Sequence, residues 1–324
     1  MRVEFRDFWS GFDTRNNAFS NLFAEMGNIE VVDSGGDLCL YSCFGASHRT
    51  FEGCKVFVTG ENRRPDFTNA DFCIGFDHVA DDRYLRYPLW AWYGPASQLL
   101  HPYGENITDQ QTEFCAFVVS NPESPIRNQI FKELSRHRHV HSAGRLFTND
   151  SMDGANGQGA RSGTAVSYLR RFQFTIAAEN TAFPGYTTEK LMQAFVAGSI
   201  PIYWGDPLVD YDFDPRSFVN FDDYGTVSGL VQAVLELADD PVAMDRMRAI
   251  APMTEQSWNR SGSRQLLTHF FERVFEVAES PGYEPPPERR KPLSRFSGLA
   301  PKTRAQIEMT TRKYRREIKL RLLR

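Results

Sequence analysis

Residues 172 to 205 contain, in succession, an alternating apolar run FQFTIAA, a polar loop ENTAFPGYTTEK, an apolar helical stretch LMQAFVAGS and a second apolar run IPIYWG. The first run places Phe172, Phe174 and Ile176 on one face of a strand, and Gly198 is the expected end of the helix. Two short apolar strands joined through a helix form a crossover unit, whose strands run parallel. The same grammar recurs earlier. KVFVTG (55 to 60), DFCIGF (71 to 76) and FCAFVVS (114 to 120) have the short, apolar, β-branched character of strands buried on both faces. After the last of these, Ser124 is placed to cap a helix, Pro125 to occupy its first position, and Ile130, Phe131 and Leu134 to form its packed stripe. Strands alternating with helices over this length predict an α/β protein built on parallel sheets.

The 324 residues, 41% of them hydrophobic and with a formal net charge of −4, suit about two globular domains. The expected division is 1 to 138 and 139 to 280, with the last helix packing back on the first domain. Five cysteines without CxxC spacing argue against both a disulfide framework and a zinc knuckle, so a reducing, cytoplasmic setting is expected. The amino terminus MRVEFRDFWSGFD has no apolar core behind a basic flank, and no uncharged apolar run reaches spanning length, so neither a cleaved leader nor a membrane span is expected.

Charge is not evenly spread. From Pro301 to Arg324, nine Lys and Arg stand against Glu308 and Glu317, which makes this tail +7 and the remainder −11. The proline-rich segment PGYEPPPERRKP precedes it, within an expected linker at 281 to 300. Ile307, Tyr314, Ile318 and Leu322 recur at helical spacing, so the tail suits an amphipathic helix on an anionic membrane surface at the inner face of the membrane. A solvated tail or a nucleic-acid arm are the other readings. No second basic, aromatic-interleaved module supports nucleic acid.

In open α/β sheets, ligands sit beyond the carboxyl ends of strands, and the amino end of the next helix favours an anion. ENTAFPGYTTEK occupies that position. Gly185 permits a tight turn, and Thr187 or Thr188 is placed to cap the helix. Lys190 lies in the first helical turn, where the helix dipole disfavours a cation, so an anionic ligand is expected to offset the mismatch. Glu189 offers two acceptor oxygens to a sugar diol. The residues alone point to a phosphate-sugar pocket or, more plainly, to a capped helix with Lys190 in solvent.

The stretch FTIAAENTAFPGYTTEKLMQAFVAGSIPIYWG (174 to 205) resembles the signature of the α1,3-fucosyltransferases, glycosyltransferase family ten: a Glu-Asn pair, a Tyr, Thr-Glu-Lys, then Pro-x-Tyr-x-Gly. VFVTGENRRPDF (56 to 67) with IGFDHVADDRYLRYPLW (74 to 90) is similar to the amino-terminal half of its bacterial members. VVSNPESPIRN (118 to 128) and DFDPRSFVNFDD (212 to 223) follow the same pattern, so roughly residues 50 to 260 are covered.

This resemblance implies a GT-B architecture: two Rossmann-like domains across a cleft, the first holding the acceptor and base, the second GDP-fucose. It implies inverting transfer to an N-acetylglucosamine-containing glycan such as a surface polysaccharide or lipid-linked oligosaccharide, forming an α1,3 bond without a metal in the chemical step. Inversion needs a base on the acceptor hydroxyl, opposite the departing diphosphate. Glu61 matches the family's base. The leaving phosphate needs fixed positive partners, and Arg127 and Lys190 match the family's basic pair, one a fork and the other a point charge. Asn180, Tyr186 and Glu189 match donor contacts, and Trp9, Phe12 and Asp13 match in place a loop that reaches the acceptor. Trp90, Trp92 and Tyr93 are candidates either for sugar stacking or for the core. Other readings are a transferase for another nucleotide sugar and a non-catalytic glycan-binding protein of the same fold.

Three motifs are set aside. Asp212-Phe213-Asp214 has a metal-binding spelling but falls in an expected structural loop before Pro215. His137, His139 and His141 alternate, yet RHVHSAGR resembles the strand that opens the family's donor domain, with His141 where an acid is common. Asn106, Asn149 and Asn259 begin glycan-acceptor triplets that a cytosolic chain leaves unused. The glycine-rich MDGANGQGARSG (152 to 163) lacks phosphate-loop spacing and is expected to be a lid or connection.

Overall fold

The computed structural model describes residues 1–65, 67–93, 96–103, 111–152, 162–281 and 283. The basic tail, nearly all of the proline-rich linker, most of the glycine-rich 152 to 163 segment and the Asn106 triplet lie outside the described residues. Contacts divide the chain into two compact units, Met1–Trp92 with Ser263 onward, and Tyr93–Gly262.

The first unit contains β1 (Arg2–Arg6), α1 (Ala18–Met26), β2 (Glu30–Val32), β3 (Leu38–Tyr41), β4 (Cys54–Val58), β5 (Phe72–Gly75) and β6 (Tyr84–Arg86). Its sheet has the order β2-β1-β3-β4-β5-β6, and every pairing is parallel. Each residue of β3, β4 and β5 is buried, as the continuous apolar runs of a sheet covered on both faces require.

The second unit contains β7 (Glu113–Phe117), α2 (Pro125–Leu134), β8 (Val140–Ser142), α3 (Ser162–Leu169), β9 (Phe172–Ile176), α4 (Glu189–Val196), β10 (Ile200–Tyr203) and β11 (Val219–Asn220). It continues through α5 (Phe221–Tyr224), α6 (Val227–Ala238), α7 (Pro241–Arg248) and α8 (Glu255–Ser261). Its parallel sheet has the order β11-β10-β9-β7-β8. The last helix of the described chain, α9 (Arg264–Glu279), returns to the first unit. Its stripe of Leu267, Phe270, Phe271 and Val274 is buried with Phe19, Leu22 and Phe23 of α1 and the strands of the first sheet.

The unit boundary differs from the expected 138/139 division. β7 pairs with β8 on one side and β9 on the other, so its strand opens the second sheet rather than closing the first. Local patterning identifies a buried strand but not which sheet it joins, because pairing partners lie far along the chain.

Both sheets have a topological switch point, where successive strands are laid down on opposite sides of a central strand. In the first, β2 lies on one side of β1 and β3 on the other; in the second, β8 lies on one side of β7 and β9 on the other. At the first switch point Asp7, at φ 56°, fastens the loop after β1 to the loop after β3. Its Oδ1 accepts from the Ser47 N–H (2.9 Å) and hydroxyl (2.8 Å). Its Oδ2 accepts from the His48 N–H (2.8 Å) and meets His48 Nδ1 at 2.7 Å.

Burial pushes the Asp7 carboxyl upward, but the bonds from His48 and Ser47 outweigh it and hold it below the ordinary aspartate value. A depressed carboxyl stabilises the fold above the unfolded-state pKa and loses that contribution as pH falls through its folded value. Asp7→Asn keeps a residue type tolerant of positive φ but misdirects donors, and is expected to cost about 1–3 kcal/mol at neutral pH. Urea midpoints of the two proteins should converge as pH falls below the usual carboxylate range.

Candidate active site

The second switch point gathers the loop after β7 and the loop after β9. Ser124 stands at the N-cap position of α2 with Pro125 next, as the sequence predicts, but its hydroxyl does not cap that helix. It donates instead to the carbonyl of Glu179 (3.2 Å), tying the start of α2 to the end of the neighbouring strand. One turn into α2, Arg127 is fully buried. Its Nη1 donates to Asn180 Oδ1 (2.5 Å) and its Nη2 to the carbonyl of Asn121 (2.5 Å). Burial lowers its pKa against the opposing charge of Glu179.

Glu179 sits at the centre, with 0% exposure. Its Oε1 accepts from the N–H of Thr188 (2.7 Å) and its Oε2 from the Thr188 hydroxyl (2.7 Å). Thr188 is therefore the N-cap residue of α4 by position, while Glu179 supplies the carboxylate to the helix end. Lys190 Nζ donates to Thr188 Oγ1 (2.9 Å) and to Glu179 Oε2 (3.3 Å), and lies 3.6 Å from Glu189 Oε1. Burial works against the Lys190 charge, but Glu179 and Glu189 outweigh it and hold the ammonium above its ordinary range, with Arg127 opposing. Burial likewise raises the Glu179 carboxyl, against the pull of Lys190.

A second buried carboxylate shapes the loop itself. Asp206 Oδ1 accepts from the N–H of Gly185 (2.7 Å) and of Leu208 (2.8 Å), and its Oδ2 from the Thr187 hydroxyl (3.1 Å). Gly185 has φ 84°, a left-handed turn suited to glycine. Thr187 thus anchors the loop rather than capping the helix. Tyr186 is buried at 4% exposure, while Asn180 and Glu189 remain partly open.

The first unit holds the other predicted residues. Glu61 follows the carboxyl end of β4; its N–H donates to Thr59 Oγ1 (3.0 Å), and its side chain is exposed. Three residues on, Arg64 pairs with Asp77 and Asn62 and lies 4.4 Å over the Phe76 ring, which pins this loop to the loop after β5. Trp9 and Phe12 meet edge-to-face at 4.8 Å, and Phe12 stacks on Phe8 at 4.1 Å. Trp9 also meets Phe44, from the loop after β3, at 6.2 Å, and both are exposed, at 37% and 49%. Asp13 is committed locally, its Oδ1 accepting from the N–H of Arg15 (2.9 Å) and Asn16 (3.1 Å).

Of the residues singled out in the sequence, the structure places Arg127, Asn180, Tyr186, Glu189 and Lys190 at one switch point and Trp9 and Phe12 at the other. Glu179 enters the sequence only as half of the Glu-Asn pair, with no role of its own, and Asp206 and Phe44 are not singled out there. Glu179 carried a signal, since an acid directly after a buried strand and before a helix must find buried donors. Trp90 is fully buried, and Trp92 packs half-buried against the first unit's core while its indole donates to the Tyr87 carbonyl (2.8 Å). Asp212 accepts from Ser261 (2.7 Å) and Asp214 pairs with Arg216. His141 lies between Glu113 and Asp150, at 3.1 Å from each. No group with metal-binding geometry occurs among the described residues, and no described helix is long and apolar enough to cross a membrane.

Comparison with known proteins agrees with these two halves. Residues 3–93 match the model of the α-(1,3)-fucosyltransferase FucT N-terminal domain, and residues 108–247 match that of glycosyltransferase family 10 (fucosyltransferase) C-term. The chain belongs to glycosyltransferase family ten, the fucosyltransferases. It is 33% identical over 204 residues to the α-(1,3)-fucosyltransferase FucT of Helicobacter pylori, an alignment covering 52% of this chain and 41% of that protein. It is 36% identical over 226 residues to an α-(1,4)-fucosyltransferase of Arabidopsis thaliana, covering 66% and 53%. The matches therefore span about half the length of these relatives or less. A crystal structure of an α1,3-fucosyltransferase superposes with a TM-score of 0.71 at 25% identity over 90% of this chain and 93% of that one. A second, with GDP, gives 0.70 at 24%, over 88% and 92%. The fold is of the GT-B type.

Gly205 makes room for the central carboxylate. A Cβ there would lie 2.4 Å from Glu179 Cγ and 2.7 Å from its Cβ. Gly205→Ala is expected to cost about 1–3 kcal/mol by overpacking, read as a lowered thermal midpoint. An unchanged midpoint would show that Glu179 is not held as described.

Proposed function

We propose that the protein transfers fucose from GDP-fucose, with inversion, to O3 of an N-acetylglucosamine residue in a glycan. One observation carries this reading: a wholly buried arginine and a partly open lysine whose charges oppose each other stand together at the switch point of a parallel sheet. Such a pair suits a diphosphate, which satisfies both cations, and it takes up the charge that grows on the leaving phosphate. Asn180 and Glu189 are placed to bind the polar edges of the donor. Tyr186, buried within the same loop, contributes to the donor pocket.

On the acceptor side Glu61 acts as the general base, its carboxylate taking the proton of the attacking hydroxyl as the fucosyl carbon becomes oxocarbenium-like. Trp9 and Phe44 form an exposed aromatic ledge at the first switch point, suited to the apolar face of a pyranose ring. Phe12 supports the ledge from behind, and Asp13 fixes the turn of its loop. In this proposal no metal takes part in the chemical step.

Purified protein with GDP-fucose, N-acetyllactosamine and a chelator should release GDP and add one fucose to the acceptor. In that acceptor O4 of the glucosamine is already substituted, so transfer there supports O3. Exclusive use of an isomer whose O3 is substituted would refute that linkage, and turnover only with another nucleotide sugar would refute the donor. Glu61→Gln should keep GDP binding while losing transfer. Arg127→Ala and Lys190→Ala should each lose about 3 kcal/mol of transition-state stabilisation, roughly 100-fold or more in rate.

Phe44→Ala and Trp9→Ala should raise the KM for acceptor roughly tenfold while changing the KM for GDP-fucose little, as loss of uniform binding requires. An unchanged acceptor KM in both variants would remove the ledge from the site.

A further inference from the structure

The Lys190 ammonium does not stand free before the site. It is held from behind by a carboxylate that no solvent reaches. Glu179 links both cations to one point: its carbonyl accepts from Ser124 at the head of α2, and the next residue, Asn180, accepts from Arg127. Its side chain accepts from both donors of Thr188 and from Lys190. The Lys190-to-Thr188-to-Glu179 relay, at 2.9 and 2.7 Å, fixes the ammonium by a hydroxyl as well as by charge. Lys190 thereby faces two carboxylates, Glu179 and Glu189, and the charge of Glu179 also acts on Arg127.

We propose that Glu179 is a positioning residue that sets the place of the Lys190 ammonium and balances its charge, so that the nucleoside diphosphate product is released rather than retained. This rests on the reading of Arg127 and Lys190 as the diphosphate partners. The physical argument has two parts with opposite consequences. A buried anion beside the cations weakens their hold on any anionic ligand, because its repulsion is poorly screened. The same anion, bonded at both oxygens, removes the rotamer freedom of a long lysine and keeps its charge where the leaving oxygen develops its own.

Glu179→Gln separates the two effects. The amide retains the shape and keeps a carbonyl oxygen for the Thr188 N–H but carries no charge. Isothermal titration should show GDP binding about fivefold to tenfold tighter than in the parent protein, as loss of a nearby anion requires. Steady-state transfer should show kcat lower by about tenfold or more, as loss of a fixed transition-state contact requires. A role in folding alone would weaken both together. Unchanged or weaker GDP binding in a variant with a cooperative melt, or an unchanged kcat, overturns the proposal.

If Glu179→Gln lacks a cooperative melt, Glu179→Asp decides. It keeps the charge one methylene short of the ammonium, so GDP affinity should stay within about twofold while kcat falls about fivefold. Parent-like kcat in it, or GDP binding changed beyond that range, overturns the proposal. The underlying reading fails separately: it falls if the parent protein neither binds GDP nor transfers fucose, whatever Glu179 does.

Discussion

A carboxylate with no exposure to solvent is expensive unless every lone pair finds a donor, and Glu179 is the point at which the second unit meets that demand. Its partners are a backbone N–H at the head of α4, a threonine hydroxyl and a lysine ammonium. Each of these belongs to the stretch that the sequence marks as unusual. Once the carboxylate is buried, the helix start, the loop path and the lysine position follow together. The loop is held on its far side by Asp206, whose three accepted bonds fix Gly185, Thr187 and Leu208. Two buried acids therefore frame a loop whose exposed edge stays polar and open.

The two units solve the same topological problem twice. In each, the first strand of the sheet has its successor on one side and the next strand on the other, which leaves adjacent loops diverging at the carboxyl edge. The polar and aromatic residues of interest cluster at those points. In the first unit a four-bonded aspartate at positive φ clamps the loops, and the exposed aromatic pair rides on the clamped segments. In the second the clamp is Glu179 with Ser124, and the cations ride on it. In both units a hydrogen-bonded carboxylate fixes the loops that carry the more open side chains, the kind of arrangement that would limit the ordering cost of binding.

Much of this was legible beforehand because the signals are local. Continuous apolar runs identify buried strands, Ser-Pro and the glycines at 185 and 198 mark turns and helix ends, and the stretch from 174 to 205 carries a family signature. Lys190 was conspicuous because it opposes the dipole of its own helix. Other features were not local. The sheet that β7 joins depends on pairing with β9, more than fifty residues away along the chain. Phe44 became notable only when the loop after β3 was laid against the loop after β1. Trp90 and Trp92 were candidates either for sugar stacking or for the core; Trp90 is buried and Trp92 packs half-buried against the first unit's core, an outcome that the residue type alone does not decide.

The sequence by itself determined the α/β class, several buried parallel strands, the helices after Ser124 and before Gly198, and the charged and aromatic residues on which the proposed function draws. Periodicity, turn residues and charge placement act over a few positions, so they are written in the chain. The tertiary structure alone decided which strands became neighbours, which acid was buried and which hydroxyl turned from its helix to a carboxylate. Those outcomes depend on competition for donors among segments distant in sequence, and burial raises the stakes of each pairing far above what any local preference supplies.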